Sequence, residues 1–318
     1  MRAIVIDEFG GPEVLRVAEV KAPTRVNAEF VIKVIAAGIN PIDAKTRAGR
    51  GVSAAIESLP VVLGNDFSGV VVESPYEAHP IKPGDEVYGM TMVPRYGGSY
   101  AEYLSVPSTS VAKKPRALTH LEAAGVPVAA LTAWGAVVDV AKAHEGQRML
   151  IHAGAGGVGH FAVQFAKFFG AHVITTGSER NRDWLMELGA REAIDYTATR
   201  FEDVVHDVDV VIDLVGNLID DTASRSLATL KPGGLIVNVP SASWPTMTAD
   251  AAAAGVRATG YRVPADGATL DVISRLLESG DVRVYVDQVF ELDQVAAAHA
   301  ALETGHTRGK IVLKVSDG

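Results

Sequence analysis

Cysteine is absent from this sequence of 318 residues. Its absence excludes disulfides, a thiolate nucleophile and cysteine-ligated zinc. Apolar runs of membrane-spanning length are also missing, because Gly, Pro or charge breaks each valine and isoleucine stretch. No basic run is longer than Lys113-Lys114. With a formal net charge of -9, the chain is expected to repel nucleic acid and anionic lipid surfaces. The opening MRAIVIDEFGG sets Asp7 and Glu8 inside its first apolar stretch, unlike a signal peptide. The expected compartment is the cytoplasm. An anionic small molecule would need specific arginines, lysines or backbone amides to hold it.

What is present is a globular balance of 48% hydrophobic and 21% charged residues, at a length that fits two domains. From Met1 to about Ala112 the chain reads as short strands: AIVIDEF, FVIKVIAAG, GVVVES and EVYGM. Turns such as GGPE, SPYEAHP and KPGD separate them, which suggests a sandwich or partly open barrel. In KPGD, Pro83 presets one dihedral and Gly84 permits a positive one.

From about His120 the apolar period becomes helical, in LEAAGVPVAALTAWGAVV. A strict alternation follows. RMLIHA, AHVITTG, EAIDY, VDVVIDLVG and GLIVNVP read as strands. HFAVQFAKFFG, RNRDWLMELGA, RFEDVVHD and TASRSLATLKPGG read as helices. Continuously apolar strands alternating with helices predict a doubly wound parallel sheet covered on both faces. The tail adds a helix (LDVISRLLESG), a strand (VRVYVDQVF), an alanine-rich helix (LDQVAAAHAALETG) and a last strand (KIVLKV). The expected division is one domain of residues 1–122 and 264–318, and an inserted domain of residues 123–263.

Gly154-Ala155-Gly156-Gly157-Val158-Gly159 contains G-x-G-x-x-G between a strand and a helix, the context that the dinucleotide fingerprint requires. One glycine allows a tight turn, one lets backbone approach a pyrophosphate, and one lets helix pack on strand. The helix start offers free N–H groups. The alternative is a glycine-rich turn without a ligand. At the tip of the second strand, where an acid would bind a ribose 2′-OH, stand Gly177 and Ser178. Arg180, Asn181 and Arg182 follow. A hydroxyl beside guanidinium groups suits a 2′-phosphate and predicts NADPH over NADH. Glu179 argues against this unless it only opens the next helix; the arginines could equally line a solvated helix face.

These pieces occur with AAGINPIDAKTRAG (36–49), PVVLGNDFSGVVVE (60–73), KPGDEVYGM (82–90), GGSYAEYLSVP (97–107), LTAWGAV (131–137), HAGAGGVG (152–159) and GKIVLKV (309–315). In this order they resemble the medium-chain dehydrogenase/reductase superfamily, in its zinc-free quinone oxidoreductase branch, over essentially the whole chain. The resemblance implies a GroES-like β-rich barrel domain, a Rossmann domain, and NADPH in a cleft between them. It also implies a homodimer. Where the zinc alcohol dehydrogenases carry metal ligands, this chain reads Gly38-Ile39-Asn40-Pro41 and Gly64-Asn65-Asp66. The nine histidines form no H-x-x-x-H pair, so no metal is expected.

Without zinc, a conjugated acceptor is the easier substrate, because added electrons spread over the conjugated system and hydrogen-bond donors suffice. Asn40 is the candidate donor; alternatively it satisfies a turn before Pro41. Carried over by position, Thr132 stands near the nicotinamide and Tyr196 near the 2′-phosphate. Val215-Gly216 and Val239-Pro240 stand at the strand ends where open α/β sheets bind ligands. Lys310 matches a basic residue near the cofactor, or is a strand-start lysine. Tyrosines expected shortly after Asn40 are replaced by DAKTRAGRG, with Lys45, Arg47 and Arg50. Tyr96 and Tyr100 either reach the cleft or, the preferred reading, face outward from the barrel.

The sequence therefore predicts an NADPH-dependent, zinc-independent oxidoreductase of quinones or α,β-unsaturated carbonyls. One rival is an enoyl thioester or alkenal reductase, with Lys45, Arg47 and Arg50 serving an anionic carrier. The other is a non-catalytic NADPH-binding protein on the same fold.

Overall fold

In the computed structural model, which describes residues 1–317, the apolar runs before residue 114 become eight strands. They are β1 (Arg2–Ile6), β2 (Arg16–Glu19), β3 (Glu29–Ile39), β4 (Val61–Val62), β5 (Asp66–Glu73), β6 (Glu86–Met90), β7 (Tyr103–Pro107) and β8 (Val111–Lys113). The period of two shows in β7, whose side chains alternate half-buried and buried. Between β5 and β6 the Asp85 N–H closes a turn onto the Lys82 carbonyl, with Gly84 at φ 90. A Cβ there would meet nothing, so the glycine serves its dihedral.

The six strands of the alternating region are β9 (Arg148–Ile151), β10 (His172–Gly177), β11 (Glu192–Asp195), β12 (Val208–Asp213), β13 (Leu230–Asn238) and β14 (Arg257–Gly260). All pair in parallel, in the order β11-β10-β9-β12-β13-β14. Numbered within the region this is 3-2-1-4-5-6, the Rossmann order, with its switch point between β9 and β12. The tail supplies β15 (Val286–Glu291) and β16 (Lys310–Lys314). These join the earlier strands in a sheet ordered β15-β16-β3-β5-β6-β8, with β7 also paired to β3. Strands β2, β1 and β4 form a separate small sheet. An aliphatic core with Phe30, Phe67 and Tyr100 fills the unit built on β3 and β5.

The chain divides into Met1–Leu131 with Pro264 onward, and Thr132–Val263. The first break comes later than residue 122. Helix His120–Ala124 packs on β3 and β5, and the Val128 N–H donates to Asp66 Oδ1 at 2.7 Å. The helical run expected from residue 121 is also interrupted. It stops ahead of Pro127, resumes as Pro127–Trp134, and continues as a π-helix over Gly135–Val140. A Cβ at Gly135 would lie 1.8 Å from Tyr261 Oη. The predicted helix TASRSLATLKPGG is helical only to Thr229. Leu230 instead pairs with Val208 and opens β13, since Pro232 has no N–H for a helix and Gly233 sits at φ 74. Among the described residues, no helix is long and apolar enough to cross a membrane.

Candidate active site

The second unit carries its chemistry on backbone. After β9, Ala153 sits at φ 50, a left-handed conformation costly for a residue with a Cβ. Its N–H is held by Thr176 Oγ1 at 3.1 Å. A Cβ on Gly154 would lie 2.1 Å from Thr175 Oγ1, and one on Gly159 would lie 2.1 Å from the Ala153 carbonyl. These two glycines let strand, loop and helix meet. Gly156 differs: a Cβ there would lie 3.3 Å from the Ala153 carbonyl, a tight contact rather than a collision, with no other neighbour within 4 Å. Gly156 is also the N-cap of helix Gly157–Phe168, and no side chain caps that end. The amides at Gly157 and Val158 therefore lie in a first turn whose N–H groups lack side-chain acceptors. An anionic pyrophosphate fits this cradle.

Register places Gly177 opposite Asp195, and the Tyr196 N–H donates to the Gly177 carbonyl at 3.2 Å. Gly177, Ser178 and Tyr196 thus meet at one corner, with Tyr196 exposed. Glycine is needed at 177 because a Cβ would press on Leu185 at 2.6 Å. Asn181 is buried and donates to Ser178 Oγ at 3.2 Å. Arg180 is exposed. The Arg182 side chain, 60% exposed, lies 3.8 Å from Glu179. Asp195, the acid at this corner, accepts from the Thr197 backbone and hydroxyl.

Past β12, the N–H groups of Val215 and Gly216 both donate to Asp213 Oδ1 at 2.9 Å. Gly216 has φ 77 and packs against Ser243, whose Cβ would lie 2.4 Å from a Cβ placed there. The Asp213 carboxylate also takes Asn238 Nδ2, and the Asp213 carbonyl takes the Val239 N–H at 3.0 Å. One buried aspartate thereby shapes the loops of Val215-Gly216 and Val239-Pro240, at the ends of adjacent strands. Thr132 is buried near the start of this unit.

The first unit carries a cluster of buried side chains. Asn40, Asp43, Asp66 and Lys310 are each at most 3% exposed. Lys310 Nζ donates to Asn40 Oδ1, to the Ile39 carbonyl at 3.1 Å and to Asp66 Oδ2 at 3.4 Å. Asn40 Nδ2 donates to Asp66 Oδ2 at 2.8 Å. A lysine only donates and a carboxylate only accepts, so the Asn40 amide has one possible orientation. Its second amide hydrogen has no partner among the described residues. Below it, Asp43 caps helix Pro41–Arg47 by accepting from the Asn40 N–H at 2.9 Å. Asp43 also accepts from Asn65 Nδ2 at 2.6 Å and Tyr100 Oη at 3.1 Å. Burial pushes the Asp43 carboxyl up to about 7, against the pull of Asn65 and the Asn40 amide. Burial raises Asp66 as well, opposed by Lys310.

Two expectations change here. Tyr100 is fully buried rather than outward-facing, because its ring fills the core while its hydroxyl reaches Asp43. Arg47 is 2% exposed, and donates to Glu303 at 2.6 Å and to the Gly10 carbonyl at 3.2 Å; it has no hand free for a carrier. Lys310 opens β16, and its ammonium is held by Asn40 and Asp66.

Comparison with known proteins agrees with this geometry. Residues 27–116 match the alcohol dehydrogenase GroES-like domain, and residues 188–313 match the zinc-binding dehydrogenase domain. A mitochondrial NAD(P)H oxidoreductase of Danio rerio is 33% identical, over 100% of this chain and 92% of its own length. An NADPH-dependent alkenal/one oxidoreductase of Arabidopsis thaliana chloroplasts is 35% identical, over 98% and 79%. The solved structure of the quinone oxidoreductase from Coxiella burnetii superposes with TM-score 0.93 at 39% identity, over 99% of each chain. The chain belongs to the medium-chain dehydrogenase/reductase family.

In this reductase, as in the family, the first unit is the GroES-like domain and the second the Rossmann domain. Among its described residues no three His, Cys, Asp or Glu side chains are grouped to hold a metal ion. Asn40 and Asn65 instead hydrogen-bond to two aspartates. Asp43 and His299 are the cluster residues that sequence reasoning missed, and Tyr100 was weighed there but assigned outward. Asp43 was signalled by its place three residues after Asn40, the spacing of a capping box. His299 lies in an alanine-rich helix far along the chain and carried no signal.

Proposed function

We propose that this protein is an NADPH-dependent, zinc-independent reductase of conjugated carbonyl compounds, quinones or enones. The observation that carries the reading is the uncapped helix start at Gly156-Gly157 on a 3-2-1-4-5-6 sheet, joined to a corner of Ser178, Asn181 and two arginines, whose acid, Asp195, is engaged by Thr197. The Arabidopsis and Coxiella relatives, named for alkenal/one and quinone reduction, support the acceptor class.

The nicotinamide dinucleotide supplies the hydride. The chain's own residues bind and orient. Backbone amides of Gly157 and Val158 meet the pyrophosphate, with Gly154 and Gly156 keeping the approach clear. Ser178, Arg180 and Asn181 meet the 2′-phosphate, with Tyr196 beside them. Gly177, Val215, Gly216, Val239 and Pro240 shape the strand ends, and Thr132 serves the nicotinamide side. Asn40, fixed by Lys310 and Asp66, offers its remaining amide hydrogen to the acceptor oxygen as negative charge develops there. Lys310 acts through Asn40. We read the assembly as a homodimer in the cytoplasm; the Danio relative is named mitochondrial, and cell fractionation with size-exclusion chromatography decides both.

The test is a parallel titration with NADPH and NADH, then NADPH oxidation across quinones and enones. The expected outcome is NADPH preference with turnover on that panel. Turnover confined to acyl thioesters, or tight binding with none, overturns the acceptor assignment.

A further inference from the structure

The buried chain that ends on Asp43 begins at the surface. Glu303, on helix Val295–Glu303, accepts from Arg47 Nη2 at 2.6 Å. Arg47 Nη1 lies 3.3 Å from His299 Nδ1. His299 Nε2 lies 3.3 Å from Tyr100 Oη, and Tyr100 Oη lies 3.1 Å from Asp43 Oδ2. Arg47, His299 and Tyr100 are each at most 2% exposed, so water does not substitute for any member.

Chemistry fixes the direction of every bond. A guanidinium only donates, so His299 Nδ1 must accept. The ring is therefore neutral, with its proton on Nε2, and burial beside Arg47 holds its pKa down at about 3. Nε2–H donates to the Tyr100 oxygen, which leaves the tyrosine's own hydrogen for Asp43. Asp43 then receives donors from Tyr100, Asn65 and the Asn40 backbone, and has no acceptor to which a carboxyl proton could be given. Other charges facing it are Asp66 on β5, which disfavours the carboxylate, and Lys310 on β16, which favours it.

We propose that Arg47, His299 and Tyr100 are positioning residues that favour the carboxylate of Asp43 over its protonated form, and so hold Asn40 at the start of its helix in the orientation that meets the acceptor. A proton on Asp43 would reverse or break the Tyr100 bond, which Arg47 blocks from the far end. The role in turnover rests on the function proposed above; the effect on Asp43 does not.

The test uses the full-length protein and two readouts. Infrared difference spectroscopy with 13C-labelled aspartate follows the Asp43 carboxylate with pH, with Asp43→Asn identifying the band. The pH profile of kcat at saturating NADPH follows turnover. In Tyr100→Phe, which deletes the last donor and keeps the ring, the Asp43 midpoint should rise by about half to one pH unit. The acid limb of kcat should rise with it. His299→Phe should move both the same way by less, because Tyr100 then chooses its donor direction freely. Tyr88→Phe is the control: Tyr88 is equally buried but bonds to Leu270 and Ser274, so it should leave the midpoint in place. If Tyr100→Phe folds and its Asp43 band titrates as in the parent, the proposal is overturned. A shifted band with no turnover on any acceptor would uphold the relay and overturn the function instead.

Discussion

The two units solve the problem of a polar site by opposite means. The Rossmann unit presents backbone: uncapped amides, glycines where a Cβ would collide, and two loops tied to Asp213. The GroES-like unit presents mainly side chains, with Asn40 clamped between Lys310 and Asp66 and seated over Asp43. Backbone sites depend on local shape, so a few adjacent residues define them. Side-chain clusters depend on charge balance among residues that meet only in the fold. The first kind fails when space is filled, the second when a partner is removed.

The sharpest way to break the comparison is Lys310→Met. It leaves the Asp66 carboxylate buried without its cation, and should lower unfolding free energy by about 3–5 kcal/mol, read by chemical denaturation. No single surface charge in the Rossmann unit should approach that cost. Next come the glycines. Gly159→Ala drives a Cβ into the Ala153 carbonyl and should cost about 1–3 kcal/mol of stability together with most NADPH affinity. Gly156→Ala, whose Cβ meets the Ala153 carbonyl at 3.3 Å, should lose affinity in a calorimetric titration while its melting temperature falls much less than that of Gly159→Ala. Equal effects on melting would mean that Gly156 serves packing rather than a ligand.

Acid separates the units more gently. In the Rossmann unit, His152 is bonded to Ser226 and Thr176, and burial lowers its pKa to about 4. Its folded proton affinity lies below the unfolded one, so stability present above the ordinary value of 6.5 is lost as pH falls toward 4. In the GroES-like unit, Asp43 is raised from 3.8 to about 7. The folded state there binds the extra proton, so this group adds stability as pH falls through that window. His299 opposes it, with the sign of His152. From pH 7 to 5 the Rossmann unit should therefore lose more. All three tryptophans, Trp134, Trp184 and Trp244, lie in that unit, so their fluorescence follows it alone, and amide exchange in β3 and β5 follows the other. The smallest effect is expected for Arg182→Ala. Its ion pair is exposed, so stability should change by less than about 0.5 kcal/mol, while the preference for NADPH over NADH declines.

The contrast also explains what could be read from the sequence. The strand, glycine loop and helix at 148–168 announce themselves, because turn, approach and packing each demand glycine at a fixed spacing. The tip at Gly177 and Ser178 was read from its place at the end of the second strand, whereas Tyr196 came only from the family resemblance. Asn40 was singled out by the family resemblance and the missing cysteine, although its place before Pro41 also suited a plain turn. Its setting was not. Tyr100 meets Asp43 across 57 residues and His299 across 199, and neither periodicity nor motif spacing reports contacts of that range. Arg47 looked like an exposed cation because arginine is seldom fully buried; only its partners Glu303 and His299 justify its place.

Lys310 stands on the last strand, 244 residues after the Asp66 that it neutralises. During synthesis the aspartates at 43 and 66 leave the ribosome long before their cation exists. The Rossmann unit is continuous in the chain and is able to close while translation proceeds. Its partner unit must wait with an open sheet edge at β3, where β16 will pair. A nascent chain halted before residue 310 would thus carry one finished unit and one arrested at its most charged point, a natural target for chaperones and for quality control.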